Sequence, residues 1–301
     1  MTRILSFMIG MICVCGGFVA EAFAQIADAT DARTSCPDVP GAAALFKSPE
    51  IHVVWVGELH GTNEMPALFG DLVCTAGLKG RPVIVGLERN DDEQPLWDAW
   101  LKSDGSGDAR KALLEGSDWS NPNFSLMGKD GRSSEAVLGL AERLRTYKAR
   151  GLILDVRVIR LGMPAVPADG NLNEAVNEGM ARHILDIVRE NPDALILAYS
   201  AGVHARRNIR PGLNFHPAAS FLPASQLLSV RLVGGEGEAW TCRGNDCGIS
   251  TVQGVIRPRG IVFAETVAMD KNLLSEGGFD ALGYTGIGST ASLPAIPSRK
   301  P

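Results

Sequence analysis

Glu58 and His60 close the apolar run Val53-Val54-Trp55-Val56-Gly57 and stand two residues apart. In an extended backbone such residues leave on the same face, so a carboxylate and an imidazole are offered side by side. A second run, Ala194 to Ala201, ends in Gly202-Val203-His204, and a third, Arg81 to Leu87, ends in Glu88. If the three strands are neighbours pointing one way, Glu58, His60, Glu88 and His204 converge on one crevice. That crevice lies beyond the carboxyl ends of the strands, where open α/β sheets collect ligands. Two imidazoles and two carboxylates suit a histidine general base oriented by a carboxylate, or a divalent metal held by His60, His204 and Glu58.

Other residues are candidates for binding. Arg132 sits at a loop-to-helix junction, where a guanidinium can face an anionic oxygen or pair with Glu58 or Glu88. Arg206 and Arg207, just past His204, are comparable. The stretch 90–132 is rich in Asp, Gly, Ser and Asn and carries Trp97, Trp100 and Trp119, which reads as a substrate lid with Trp119 among its contacts. The remaining histidines read differently: His52 starts its strand and faces the other end of the sheet, His183 borders the apolar stripe of a helix, and His216 lies in a Pro-rich loop. A nucleophile elbow of Gly-x-Ser-x-Gly form is absent, which argues against a serine hydrolase.

Positioning these residues requires a parallel sheet. Continuous apolar runs at 52–57, 83–87, 152–158 and 194–201 are the pattern of strands covered on both faces. Helical spacing of apolar residues recurs after His60, over 135–149 and over 173–190. The alternation predicts an α/β fold, a mainly parallel β-sheet flanked by helices. Beyond His204, residues 227–233 and 238–242 around Gly234-Gly235-Glu236-Gly237 predict a C-terminal β-hairpin addition.

Composition bounds the rest. Arg3, the apolar segment Ile4 to Ala20 and Ala22-Phe23-Ala24 read as a signal peptide over 1–24, so export to a periplasm or beyond is expected. Residues 25–50 read as a polar N-terminal extension and 51–301 as a single domain, with no membrane span once the signal is removed. The net charge of −5 argues against nucleic acid as a partner. Cys36, Cys74, Cys242 and Cys247 remain, an even number in an exported chain, which favours disulfides, Cys242 with Cys247 and Cys36 with Cys74.

Gly57-Glu58-Leu59-His60-Gly61, Glu88 and Gly202-Val203-His204-Ala205 resemble the superfamily that joins erythromycin esterases, the Tiki and TraB proteins and the ChaN-like haem-uptake lipoproteins. Asp130-Gly131-Arg132-Ser133 and the tail Ala291-Ser292-Leu293-Pro294-Ala295 are similar to exported bacterial members. The resemblance implies an α/β core with a site built from two Gly-x-x-His motifs and a glutamate. Among such proteins the esterases use a histidine to activate water, Tiki proteins are metal-dependent proteases, and ChaN-like proteins bind haem. By matching position, His60 and His204 are the paired histidines and Glu58 and Glu88 the carboxylates. Two departures stand out: Ala201 replaces a usual Gly, and Val176-Asn177 stands where many relatives have Arg-Asp before Met-Ala.

The expectation is an exported hydrolase-like protein, possessing or lacking a divalent metal, that directs water at an ester or amide of a small-molecule or peptide substrate. The alternative is a haem- or iron-binding envelope protein without catalysis, for which Tyr147, Tyr199 and Tyr284 are the available phenolates. Substrate identity and oligomeric state are left open by the sequence.

Overall fold

The computed structural model describes residues 35–120, 130–160, 170–243, 246–263 and 278–296. The expected signal peptide, residues 121–129 of the expected lid and the loop 161–169 lie outside them. One compact unit spans Pro37–Pro301. Val39, Ala42 and Leu45, within the extension expected over 25–50, are buried in it, their apolar side chains gaining cover by packing on the body.

The strands are β1 (Val53–Glu58), β2 (Val83–Asn90), β3 (Asp155–Arg160), β4 (Leu195–Ala201), β5 (Leu227–Gly235), β6 (Gly237–Arg243), β7 (Asp246–Val252), β8 (Gly260–Phe263) and β9 (Ala281–Gly288). Seven of them form one sheet in the order β3-β2-β4-β1-β5-β9-β8, parallel throughout except for β8 against β9. The helices are α1 (Glu64–Gly77), α2 (Gln94–Lys102), α3 (Gly107–Leu113), α4 (Ser117–Ser120), α5 (Glu135–Ala149), α6 (Leu172–Glu190) and the single turn α7 (Gly202–Ala205). The α/β class and the mostly parallel sheet are as the sequence predicts.

Both faces of the sheet are covered, which is why β1, β2 and nearly all of β4 are buried along their length. Trp55, Ile84, Ile159, Ile196 and Ala198 pack with Val176, Met180, Ile184 and Ile187 of α6. On the opposite face α1 packs against α5 and lies over β2, β5 and β9. There Phe69 of α1 stacks on Tyr199 of β4 with ring centroids 4.4 Å apart.

Two local expectations are corrected. The hairpin is formed by β6 and β7, with Cys242 opposite Cys247 and joined to it by a disulfide; β5 does not pair with β6. The apolar run at 227–233 needs cover on both faces and so enters the sheet between β1 and β9. Cys36 and Cys74 are also both disulfide-bonded. The second correction concerns the Trp-rich stretch. Its described part folds as α2, α3 and α4, with Trp97, Trp100 and Trp119 all buried, because α2 packs on α3, α5 and β3 while Trp119 lies beneath the Arg89 guanidinium. Trp100 donates from Nε1 to the Ala141 carbonyl of α5 at 2.9 Å, anchoring this layer to the body.

Candidate active site

Strand order builds the site. Because β4 lies between β2 and β1, the carboxyl ends carrying Glu88, His204 and Glu58 are adjacent. The chain leaves β1 at Leu59 and turns at His60. The imidazole folds back so that Nδ1 meets Glu58 Oε1, while Nε2 lies 3.7 Å from Glu88 Oε2. His204 faces the same carboxylate from the other side, its Nε2 3.5 Å from Glu88 Oε1. Glu88 also accepts 2.6 Å from Arg132 Nη1 on Oε1 and 2.7 Å from the Ala201 backbone N–H on Oε2. Glu88 is therefore the hub, each oxygen holding one donor and facing one imidazole.

Arg132 is gripped at its other edge by Asp130, with Nε 3.0 Å and Nη2 2.5 Å from Oδ2. Its backbone carbonyl accepts from Arg89 Nη1 at 2.8 Å. Arg89 is itself buried in a network: Nε lies 3.0 Å from Glu93 Oε2 and 3.4 Å from Asp118 Oδ2. Burial, with Glu93 adding to it and Arg89 opposing, pushes the Asp118 carboxyl up to about 6. This buried framework fixes the loop that delivers Arg132.

Backbone proximity explains two glycines. A Cβ at Gly57 would sit 2.7 Å from the Cα of Gly202, so β1 and the start of α7 approach as only glycine allows. A Cβ at Gly131 would sit 1.9 Å from the nitrogen of Gly61 and 2.3 Å from its Cα, so the Arg132 loop rests directly on the His60–Gly61 turn. Gly131→Ala is accordingly expected to lower stability by at least about 1–3 kcal/mol through overpacking. Thermal unfolding reads this, and a wild-type melting temperature in the variant would disprove the close docking. The tail reinforces the junction: Ser292 N–H donates to the Gly61 carbonyl at 2.8 Å, and its hydroxyl accepts from the Ala136 N–H of α5 at 2.9 Å.

Electrostatics follow from this geometry. Burial works to lower the His60 pKa, but Glu58, through charge and hydrogen bond, and then Glu88 outweigh it, so the imidazole is raised above its ordinary value. Burial works to raise Glu88, but Arg132, His204 and His60 together hold its carboxyl well below the usual carboxylate range. Glu88 stays ionised. Burial, with Glu58 and then Glu88 adding to it, raises the Tyr199 phenol well above its usual value, leaving a protonated hydroxyl beneath the site.

The structure thus brings Glu58, His60, Glu88, His204 and Arg132 together. It does not bring Trp119 or Arg206. Trp119 is 2% exposed and lies beneath the Arg89 guanidinium, 4.1 Å from its ring centroid, so its surface is spent on packing and not turned to a ligand. Arg206 is buried over the Phe279 ring at 5.4 Å, and Arg207 pairs with Asp280. His52 lies against Arg81 at the amino ends of the strands, away from the site, and His216 pairs with Glu174 at 2.8 Å.

Three participants escaped the sequence. Asp130 and the Ala201 N–H are recognisable only once the loops are docked. Asn177, which holds His204 Nδ1 at 2.8 Å, gave a signal, since an amide beside the apolar stripe of α6 is a polar group to be buried.

The donor set does not fit a divalent metal at His60, His204 and Glu58. Glu58 is engaged by His60 Nδ1, and the Arg132 cation already sits on Glu88. Among the described residues no group of three or more His, Cys, Asp or Glu side chains is arranged to hold a metal ion. The phenols suit haem no better: Tyr199 is stacked under Phe69, Tyr147 accepts from Arg143, and Tyr284 is buried.

This sheet and its covering helices define an α/β fold seen before in solved structures. An erythromycin esterase in its open conformation matches over 82% of this chain and 93% of its own, with TM-score 0.59 and 12% identity. A succinoglycan biosynthesis protein matches over 81% and 89%, with TM-score 0.61 and 9% identity, and a Bacillus cereus protein over 82% and 91%, with TM-score 0.50 and 10% identity. At these identities the likeness is one of fold. No family profile matches the sequence, and no curated protein does.

Proposed function

We propose that this protein is an exported hydrolase in which His60 acts as general base and directs water at an ester or amide carbonyl of a small-molecule or peptide substrate. The observation that carries this reading is the His60 ring, engaged at Nδ1 by Glu58 and with Nε2 left 3.7 Å from Glu88, beyond hydrogen-bond reach. A ring held in this way has Nδ1–H fixed by one carboxylate and a basic Nε2 free for a proton. Water loses a proton to Nε2 as its oxygen bonds to the carbonyl carbon. The tetrahedral adduct then breaks its C–O or C–N bond, and the proton passes to the leaving atom. Glu88, kept anionic by Arg132, favours the imidazolium formed in between. An ester hydrolase among the fold neighbours supports this reading, and the disulfides suit an oxidising compartment. No helix among the described residues is long and apolar enough to cross a membrane.

A base must be unprotonated to act, and His60 is raised. Activity toward p-nitrophenyl acetate is therefore expected to rise with pH through a midpoint above the ordinary histidine value of 6.5. Glu58→Gln removes the largest group raising it and leaves burial, so the midpoint should move down. A rising limb that stays in place in Glu58→Gln would contradict His60 as the base.

A further inference from the structure

Glu58 is one half of a symmetrical arrangement whose other half is Asn177. This residue of α6 is fully buried, and its amide makes three polar interactions. Nδ2 donates to the Asn173 carbonyl at 2.7 Å, Oδ1 accepts from the Ala218 backbone N–H at 2.8 Å, and Oδ1 lies 2.8 Å from His204 Nδ1. The first two fix the amide's orientation without reference to the histidine. A carbonyl oxygen can only accept and a backbone N–H can only donate, so the atom facing His204 is the amide oxygen.

We infer that Asn177 is a positioning residue that commits His204 to the Nδ1–H form and leaves Nε2, on the Glu88 side, as the only ring atom that exchanges a proton. An oxygen acceptor at 2.8 Å requires Nδ1 to carry hydrogen whether the ring is neutral or charged. His60 is handled the same way by Glu58. Both imidazoles thus turn Nε2 toward the two oxygens of Glu88. The holders differ: Glu58 is a carboxylate, whereas Asn177 fixes the tautomer without bringing a second negative charge against the ring. In turnover, which rests on the hydrolase reading, His204 can carry a proton between the crevice and the leaving atom only at Nε2.

The tautomer can be read without any substrate. In protein labelled with 15N-histidine, the His204 signal is assigned by its loss in His204→Gln, and spectra are taken at a pH where the ring is neutral. The expected result is a protonated Nδ1 and a bare Nε2, reverting to mainly Nε2–H in Asn177→Ala. Asn177→Asp retains an acceptor for Nδ1 and should retain the Nδ1–H form, which keeps the test open if the alanine variant fails to fold. A neutral wild-type His204 with its proton on Nε2 overturns the inference, as does Asn177→Ala with Nδ1–H unchanged. Kinetics add a second readout: kcat for p-nitrophenyl acetate should fall about 10–100-fold in Asn177→Ala with KM nearly constant, and recover in Asn177→Asp. An inactive wild-type protein with the expected tautomer would count against the hydrolase reading alone, whereas an active one with the wrong tautomer would count against Asn177 alone.

Discussion

Glu88→Ala is expected to reduce folding stability by about 3–5 kcal/mol, the range for removing one partner of a buried ion pair. The reason is local. Arg132 cannot shed its charge, and without Glu88 its Nη1 faces a hole while only Asp130 remains to neutralise it. The Ala201 N–H loses its acceptor as well, at the point where β4 passes into α7. Glu88→Gln keeps the volume and exposes the electrostatic part. Because the folded carboxyl is held below its unfolded value of 4.5, its stabilisation is fully present above that pH and is lost as pH falls through the lower folded value. The stability difference between wild type and Glu88→Gln should thus shrink below about 4.5, and, because Glu88 also helps to raise His60, it should decline again as pH rises through the folded His60 value. Denaturant titrations across pH check both statements. An alanine variant within about 1 kcal/mol of wild type would mean that Glu88 is not the electrostatic centre of the site.

His60→Gln is the counterpart, with a large effect on activity and a small one on folding. The His60 side chain is 21% exposed at the crevice, and a glutamine amide can still donate to Glu58, so the fold should persist. What disappears is the basic Nε2. General-base assistance contributes about 10²–10⁴-fold, so kcat/KM toward p-nitrophenyl acetate should fall by that factor while the melting temperature moves little. The decisive comparison is between the two variants at one pH. Loss of activity in Glu88→Ala alone could follow from unfolding, whereas loss in a folded His60→Gln assigns the chemistry to the ring. Retention of activity within a few-fold in His60→Gln would remove the mechanism proposed for this site.

The two variants also mark where sequence reading works. Glu58 and His60 are legible as a pair because they are two residues apart at the end of an apolar run, and local backbone geometry alone brings them together. The partnership of Arg132 with Glu88 could be offered only as one of several options, since 44 residues separate them and the loop between follows its own packing. The Trp-rich stretch shows the opposite error. Its polar composition suggests an open lid, but each of its three indoles is buried, Trp100 against α5 and Trp119 beneath Arg89, partners that lie outside the stretch or depend on how it docks. Trp119 itself is buried with the Arg89 guanidinium over its ring.

By itself the sequence determined the α/β class, the helices over 135–149 and 173–190, the acid or histidine that follows each of β1, β2 and β4, and the Cys242–Cys247 pair. These are properties of short windows, where hydrophobic period and turn chemistry act between near neighbours. Only the tertiary structure decided that β4 lies between β2 and β1, that β6 pairs with β7, and that Asn177 faces His204. Each depends on which distant segments bury their apolar faces together. A strand's own residues specify that it must be covered, and the partner that covers it is selected by the packing of the whole sheet.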